Sequence, residues 1–308
     1  MFTINFKYLK EFKMTDYQLI KNYQKDPTLK ASFMGLAKET FELDFTTWSE
    51  GDFWQSEYLP YGFITENEVV ANASVQKMTL VIAGQEYQAI QIGTVMTKAS
   101  HRNQGLAKQL IQEIMTDYQG SVDLIYLFAN ETVLDFYPKL GFQRVSEFQG
   151  KLVLAKNQLK RTQSKLIQLD PNKIEDVECV FKLAKNRQMI SQNIGVKDNH
   201  NLLMFYFLLG FPENTYYLAE LETVVMMEQV DKTLHVFDLI YQGEQAVSDL
   251  LEELITEEIE ELILYFTPLE TIPNLQFSEI INEDDCLFVR GKVELLQGNH
   301  LFPLTSHC

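Results

Sequence analysis

The spacing of hydrophobic residues changes several times along the chain, and each change marks an element. Phe33, Met34, Leu36, Ala37 and Phe41 recur at helical spacing, which predicts an amphipathic helix over residues 29–41. Residues 44–61, DFTTWSEGDFWQSEYLPY, are aromatic and loop-like. A substrate-side lid and a core-covering connection both fit them, and packing is the commoner use of such rings. Strand patterns follow at 61–65, 69–82 and 87–97, with AGQE at 83–86 as the turn between the last two, so an antiparallel meander is expected. In the second of these strands the alternation Val69, Ala71, Ala73, Val75 changes phase to Met78, Leu80, Ile82, which predicts a bulge near Lys77.

Beyond residue 104 the period becomes helical again. Leu106, Ala107, Leu110, Ile111, Ile114, Met115 and Tyr118 share one face, and Gly120 stands where a helix stops. DLIYLFAN (123–130) reads as a buried strand, ETVLDFYPKL as a short helix stopped by Gly141, and residues 142–156 as a closing hairpin. The polar passage 155–165 reads as a linker. After it the succession recurs: a helix at 174–187, strands at 215–221, 223–229 and 233–241, a helix at 245–256 and a strand at 261–267. The expected architecture is α+β, a mixed α/β sheet flanked by helices, in two duplicated domains, 1–158 and 159–308.

Composition narrows the possible partners. Hydrophobic residues at 46% support packed cores. The 26 basic against 43 acidic residues give a charge of −17, which opposes binding to nucleic acid or an anionic membrane; it could draw in cationic substrates such as amines, a polycation included, although solubility alone is the commoner reason for an acidic surface. Cys179, Cys286 and Cys308 lack metal-type spacing and suit a reducing, cytoplasmic setting; no metal site is expected. No secretory leader is read at the start, and Met14 opens a plausible alternative beginning, with residues 1–13 as an extension.

The stretch SHRNQGLAKQL (100–110) carries the chemistry. A helix N-terminus presents unpaired N–H groups and about half a positive charge. Gly105 and Ala107 leave those amides open, and Arg102 adds a charge-assisted donor, so the stretch suits a pyrophosphate. No Walker-type Gly-Lys-Ser/Thr and no Gly-x-Gly-x-x-Gly is present, which removes support for nucleoside triphosphate and dinucleotide sites. RNQGLA does match Arg/Gln-x-x-Gly-x-Gly/Ala, and about 25 residues later LFANETVLDFYPKLGF brings Asn130, Phe136, Tyr137, Leu140, Gly141 and Phe142. In this order the two segments resemble the acetyl-CoA motifs of the GNAT N-acetyltransferases. The resemblance covers residues 17–155 well and the remainder only by pattern.

The resemblance implies a GNAT fold and acetyl-CoA as co-substrate. Arg102, Asn103, Gln104, Gly105, Leu106, Ala107 and Lys108 would hold the pyrophosphate. The backbone of Val95, Met96 and Thr97 would hold the pantetheine arm, where their strand splays from 123–130, with a backbone N–H near Val95 stabilising the oxyanion. Phe136 would join the cofactor site, and Asn130 would either hold the pantetheine or serve as a turn residue. Tyr137 would protonate the leaving thiolate during direct attack by a primary amine of a small acceptor. No base is identified: residues 87–100 hold no carboxylate or histidine, and His101 reads as a helix-entry side chain. The second domain, with Glu244 at its corresponding helix start, is expected to be a degenerate copy that repels pyrophosphate and walls the substrate cleft. A CoA-binding sensor without turnover is the alternative, and a structural protein without ligand a third reading. Oligomeric state and acceptor stay open.

Overall fold

Two sheets in this protein share one strand order. The computed structural model describes residues 16–154, 165–191, 193–281 and 284–308; the extension 1–13 and linker residues 155–164 lie outside the described residues. The first half runs β1 (Gln18–Lys21), α1 (Pro27–Phe41), α2 (Thr46–Glu50), β2 (Tyr58–Thr65), β3 (Glu68–Ile82), β4 (Gln85–Thr97), α3 (Leu106–Asp117), β5 (Leu124–Ala129), β6 (Gln143–Arg144) and β7 (Phe148–Val153). The second runs β8 (Leu166–Gln168), α4 (Ile174–Lys185), β9 (Gly195–Lys197), α5 (His200–Phe205), β10 (Thr215–Leu218), β11 (Thr223–Val230) and β12 (Thr233–Ile240), followed by α6 (Val247–Leu254), β13 (Glu261–Leu264), β14 (Gln276–Glu279) and β15 (Cys286–Gly291).

One sheet is ordered β1-β2-β3-β4-β5-β15-β6, with β9 also on β3; the other is β8-β10-β11-β12-β13-β7-β14. The orders correspond strand for strand, and each sheet takes its sixth strand from the other half of the chain. Within each, one pair is parallel, β4 with β5 and β12 with β13. The cut at residue 158 therefore does not separate the sheets: β7 lies in the second and β15 in the first. The hairpin expected at 142–156 does not form either. β6 pairs with β15, and β7 with β13 and β14. A short alternating strand carries the same pattern whichever sheet receives it, so periodicity could not name its partner.

Local chemistry accounts for the element ends. Asp26 caps α1 by accepting from the Thr28 and Leu29 amides at 2.9 and 3.1 Å, with Pro27 in the first turn and Glu42 closing it in a left-handed conformation. The meander is present, but its bulges are not at Lys77. The β2–β3 register slips at Phe63/Ile64, and the β3–β4 register between Asn72 and Ser74. Val69 to Gln76 are buried without interruption, so alternation there carries no phase to read. The short helix expected at 131–140 is two 3₁₀ turns, Glu131–Val133 and Tyr137–Leu140.

The aromatic stretch 44–61 is core. Phe45, Trp48, Phe53, Trp54 and Tyr58 are buried with Phe33 of α1, in a cluster that continues into Leu203, Phe207, Met226 and Phe237 of the other half. Trp48 Nε1 donates to the Asn201 carbonyl at 2.7 Å. The lobes thus share one apolar core, while α3 and α6 each complete a core of their own. Among the described residues no helix is long and apolar enough to cross a membrane.

Because the first sheet needs β15, a fragment of residues 1–158 is expected to unfold without a cooperative thermal transition and to regain one when co-expressed with residues 159–308. Calorimetry on the two preparations tests this; a cooperative transition for the fragment alone would show β15 to be dispensable.

Candidate active site

The site begins where two parallel strands part. β4 and β5 pair at Ala89↔Leu124, Ile90↔Ile125 and Gln91↔Tyr126, and no further. Across the other edge, β3 pairs Ser74 with Gly93 and Asn72 with Met96, which leaves Thr94 and Val95 without a register partner on either side. Thr94 is left-handed, with φ +48°. A cleft of about 1000 Å³ opens here, lined by residues 92–97 of β4, 101–108 at the start of α3, and Phe128, Ala129, Asn130, Thr132, Val133, Phe136 and Tyr137 beyond β5. All thirteen residues assigned from sequence to the site line it.

The floor at residues 102–108 is a helix start without a side-chain cap. Asn103 and Gly105 are left-handed, at φ +63° and +78°, and Gly105 is the N-cap residue of α3. A Cβ added to Gly105 would meet nothing nearer than Gln109 Nε2 at 4.0 Å, so glycine serves both the turn and the open space above it. That open space, the uncapped first turn and the basic side chains of Arg102 and Lys108 in the lining fit a pyrophosphate. Arg102 Nε donates to the Thr97 carbonyl at 3.1 Å, tying the loop to the strand end. Tyr17 OH donates to Gln104 Oε1 at 2.8 Å and steadies it from β1's side. His101 is buried, edge-on to Tyr17, and beside Ser100 Oγ at 2.9 Å. Burial and then Lys98 push its pKa down, so it stands neutral as a packed helix-entry residue.

The opposite wall carries the phenol. Tyr137 is 5% exposed among Phe136, Phe142 and Phe288, and burial alone raises its pKa to about 12. It therefore holds its proton at neutral pH. Asn130 acts as a turn residue: its Oδ1 accepts from the Thr132 amide at 3.1 Å and the Thr132 hydroxyl at 2.6 Å. Its Nδ2 remains for the cleft. Val95 packs toward the α3 core and Met96 toward the α1 core, so their side chains serve packing on opposite faces.

Sequence reasoning missed Thr40 and Phe41 at the end of α1, Leu43 just beyond it, Thr94, and Cys308. Cys308 lies on Gly93: a Cβ at 93 would be 2.2 Å from the Cys308 carbonyl oxygen. Nothing local signals a contact between residues 215 positions apart; the missing side chain at Gly93 was the sole trace. Burial raises the Cys308 thiol pKa, leaving it protonated.

The second lobe repeats the opening and closes it. The β11–β12 register slips at Met226/Met227, passing over Phe237 as the first slip passes over Thr94 and Val95. Here Asp238 is fully buried and bound by both guanidinium nitrogens of Arg187, by the Leu239 amide and by the Thr305 hydroxyl, while the Leu304 amide donates to the Tyr265 carbonyl at 3.3 Å. At the start of α6 the Ser248 amide donates to Glu270 Oε1 at 2.6 Å. The carboxylate on that helix start is thus Glu270, supplied from a distant loop, rather than Glu244.

Comparison with known proteins agrees with this geometry. Residues 32–145 match the acetyltransferase (GNAT) domain family. The GNAT match runs from α1 through the start of the β6–β7 connection and contains the whole uncapped loop. No curated protein matches the chain. Among solved structures, a probable N-acyltransferase from Enterococcus faecalis is 14% identical with a TM-score of 0.59, over 91% of this chain and 74% of its own. Eis1 from Mycobacterium abscessus is 14% identical with a TM-score of 0.57, over 89% and 72%. A GCN5-related N-acetyltransferase from Anabaena variabilis is 12% identical with a TM-score of 0.53, over 89% and 72%. At such identities the likeness is one of fold, and it extends over both lobes.

Replacing Gly105 with glutamate would place a strained side chain and a negative charge in the open space above α3. Coenzyme A at about one hundred times its dissociation constant stabilises a binding protein by about 2.7 kcal/mol. Gly105→Glu is expected to melt somewhat lower than the wild type without ligand, because of the strained φ, and to lose that ligand-induced thermal shift; a retained shift would refute the loop as the pyrophosphate site.

Proposed function

We propose that the protein is an N-acetyltransferase that moves the acetyl group of acetyl-CoA to a primary amine within a ternary complex. The observation that carries this reading is the convergence, in one cleft, of an uncapped helix start, an opened strand pair and a protonated buried tyrosine. Acetyl-CoA supplies an activated acyl thioester. Residues 102–108 bind its diphosphate, and the backbone of Val95, Met96 and Thr97, beyond the last β4–β5 pair, offers hydrogen bonds to the pantetheine arm as an added strand would. An amide at the bulge faces the acyl oxygen as negative charge develops there, a role worth about 3 kcal/mol where such donors have been removed.

The amine nitrogen forms its bond to the acyl carbon as the carbon–sulfur bond breaks. Tyr137 gives its proton to the departing sulfur, and the acetylated nitrogen releases its own to water. Cys308, as a neutral thiol, is a poor nucleophile, which favours direct attack over an acyl-cysteine. The second lobe completes the cleft without binding coenzyme A, because Glu270 occupies the amide that an anion would need.

The lining also bears on the acceptor. Among the described lining residues the charged side chains are basic, Arg102 and Lys108, and none is a carboxylate; Phe41 and Leu43 are 40% and 36% exposed. No lining side chain offers a counter-charge to the polycation suggested by the net charge, and the exposed Phe41 and Leu43 suit an amine with an apolar body.

Thiol release with acetyl-CoA and a panel of amines tests the reading. Apolar monoamines are expected to be turned over faster than polyamines; tight coenzyme A binding with no turnover across the panel would favour the sensor instead. Tyr137→Phe is expected to lower kcat about 100-fold while coenzyme A binding stays unchanged. Tyr137 stays protonated up to about 12. With no general base assigned to the cleft, kcat/KM should then rise tenfold per pH unit until the free amine form dominates; a fall on the alkaline side well below 12 would remove Tyr137 from the acid role.

A further inference from the structure

The left-handed residue in the bulge is held from beneath. Asn72 on β3 is fully buried; its Nδ2 donates to the Thr94 carbonyl at 2.9 Å and to Ser74 Oγ at 3.0 Å, and its Oδ1 accepts from Tyr23 OH at 2.7 Å. Thr94 Oγ1 is paired with Tyr58 OH of β2, reaching across β3. One buried amide thus spends both donors and its acceptor inside this network, and one donor is aimed at the carbonyl of the residue that bulges.

A register slip does not by itself require such a residue. In the second lobe the position before the slip, corresponding to Asn72, is Met226, a buried thioether with no N–H, and neither Phe237 nor Asp238 is left-handed. The offset forms there without a side-chain amide on the facing strand, its other side held by the Asp238–Arg187 pair. The amide, the tyrosine that orients it and the left-handed residue occur together only in the lobe whose bulge lines an open cleft. We infer that Asn72, oriented by Tyr23, is a positioning residue that fixes the backbone of Thr94, Val95 and Met96 for acyl transfer, an inference that takes its chemical purpose from the acetyltransferase reading.

Asn72→Asp keeps the shape and the Oδ1 acceptor but sets a carboxylate oxygen against the Thr94 carbonyl. Tyr23→Phe leaves Asn72 in place and removes only the hydroxyl that orients it. Both are read by the backbone amide resonances of Gly93–Met96 in the free protein and by kcat and KM for acetyl-CoA. In Asn72→Asp the resonances of 93–96 are expected to move or split while those of 105–107 stay, and kcat to fall about 10-fold to 100-fold with KM little changed, the signature of misplaced reacting groups. Tyr23→Phe should show the same pattern more weakly and add nothing to Asn72→Asp in the double variant. Unchanged resonances at 93–96 or an unchanged kcat in folded Asn72→Asp would overturn the inference. Should that variant not fold, the same readings on Tyr23→Phe decide. Failure of every amine to react would sink the acetyltransferase reading, and the resonances would still decide whether Asn72 positions the bulge.

Discussion

Every feature of the cleft depends on β4 leaving β5 after Gln91. Two parallel strands that stop pairing midway forfeit ladder hydrogen bonds, and each polar backbone group left buried without a partner costs about 1–3 kcal/mol. The protein meets this cost on three sides. β15 pairs with β5 along its whole length, from Cys286↔Ala129 to Gly291↔Leu124, and so holds the part of β5 that β4 has abandoned. Asn72 takes the Thr94 carbonyl. The remaining edge faces an open cleft, where water or a ligand can bond to it. A left-handed threonine, itself costing about 1–2 kcal/mol, persists because Asn72 on β3 holds its carbonyl and Tyr58 on β2 holds its hydroxyl.

The two lobes answer the same problem differently. In the second, the residues past the last β12–β13 pair are met by the segment 301–305: Leu304 bonds Tyr265, Thr305 bonds Asp238, and Arg187 neutralises the carboxylate. A buried charge so paired is tolerated, whereas removing one partner commonly costs about 3–5 kcal/mol. Filling the gap with the chain's own backbone closes it to a ligand. Charge follows the same division. A chain with net charge −17 still offers a basic cleft, because screening limits each distant carboxylate to about 10 Å while Arg102, Lys108 and the α3 start act at contact range.

What could be read from the sequence was whatever is encoded locally. The α3 start, Gly105, the Asn130 to Phe142 segment and the three-stranded meander depend on residues within a few positions of one another, and they lie where their patterns put them. The strand exchange was illegible because the alternation in Phe148–Val153 fits either sheet. The bulge was misplaced because Val69 to Gln76 is buried on both faces, which erases alternation at the very place where the register slips. Asn72 gave no signal either: within an apolar run a single amide reads as a polar position turned outward, and only its contacts with Tyr23 and Thr94 reveal a partner on each side.

The exchange of β7 and β15 explains why the second lobe persists although its own opening is closed. Having crossed to complete the first sheet at β15, the chain returns along the lobe boundary. Phe148 donates to the His300 carbonyl, the Phe302 amide to Glu147, and Tyr206 to the His307 carbonyl. His307 then stacks on Phe128, with ring centroids 3.6 Å apart, and Cys308 settles on Gly93. Phe128 and Gly93 are walls of the cleft, so part of its lining is backed by residues far away in the sequence. A first lobe alone would lack the strand that holds β5 open and the residues that back Phe128 and Gly93. The second lobe is therefore a structural part of the first.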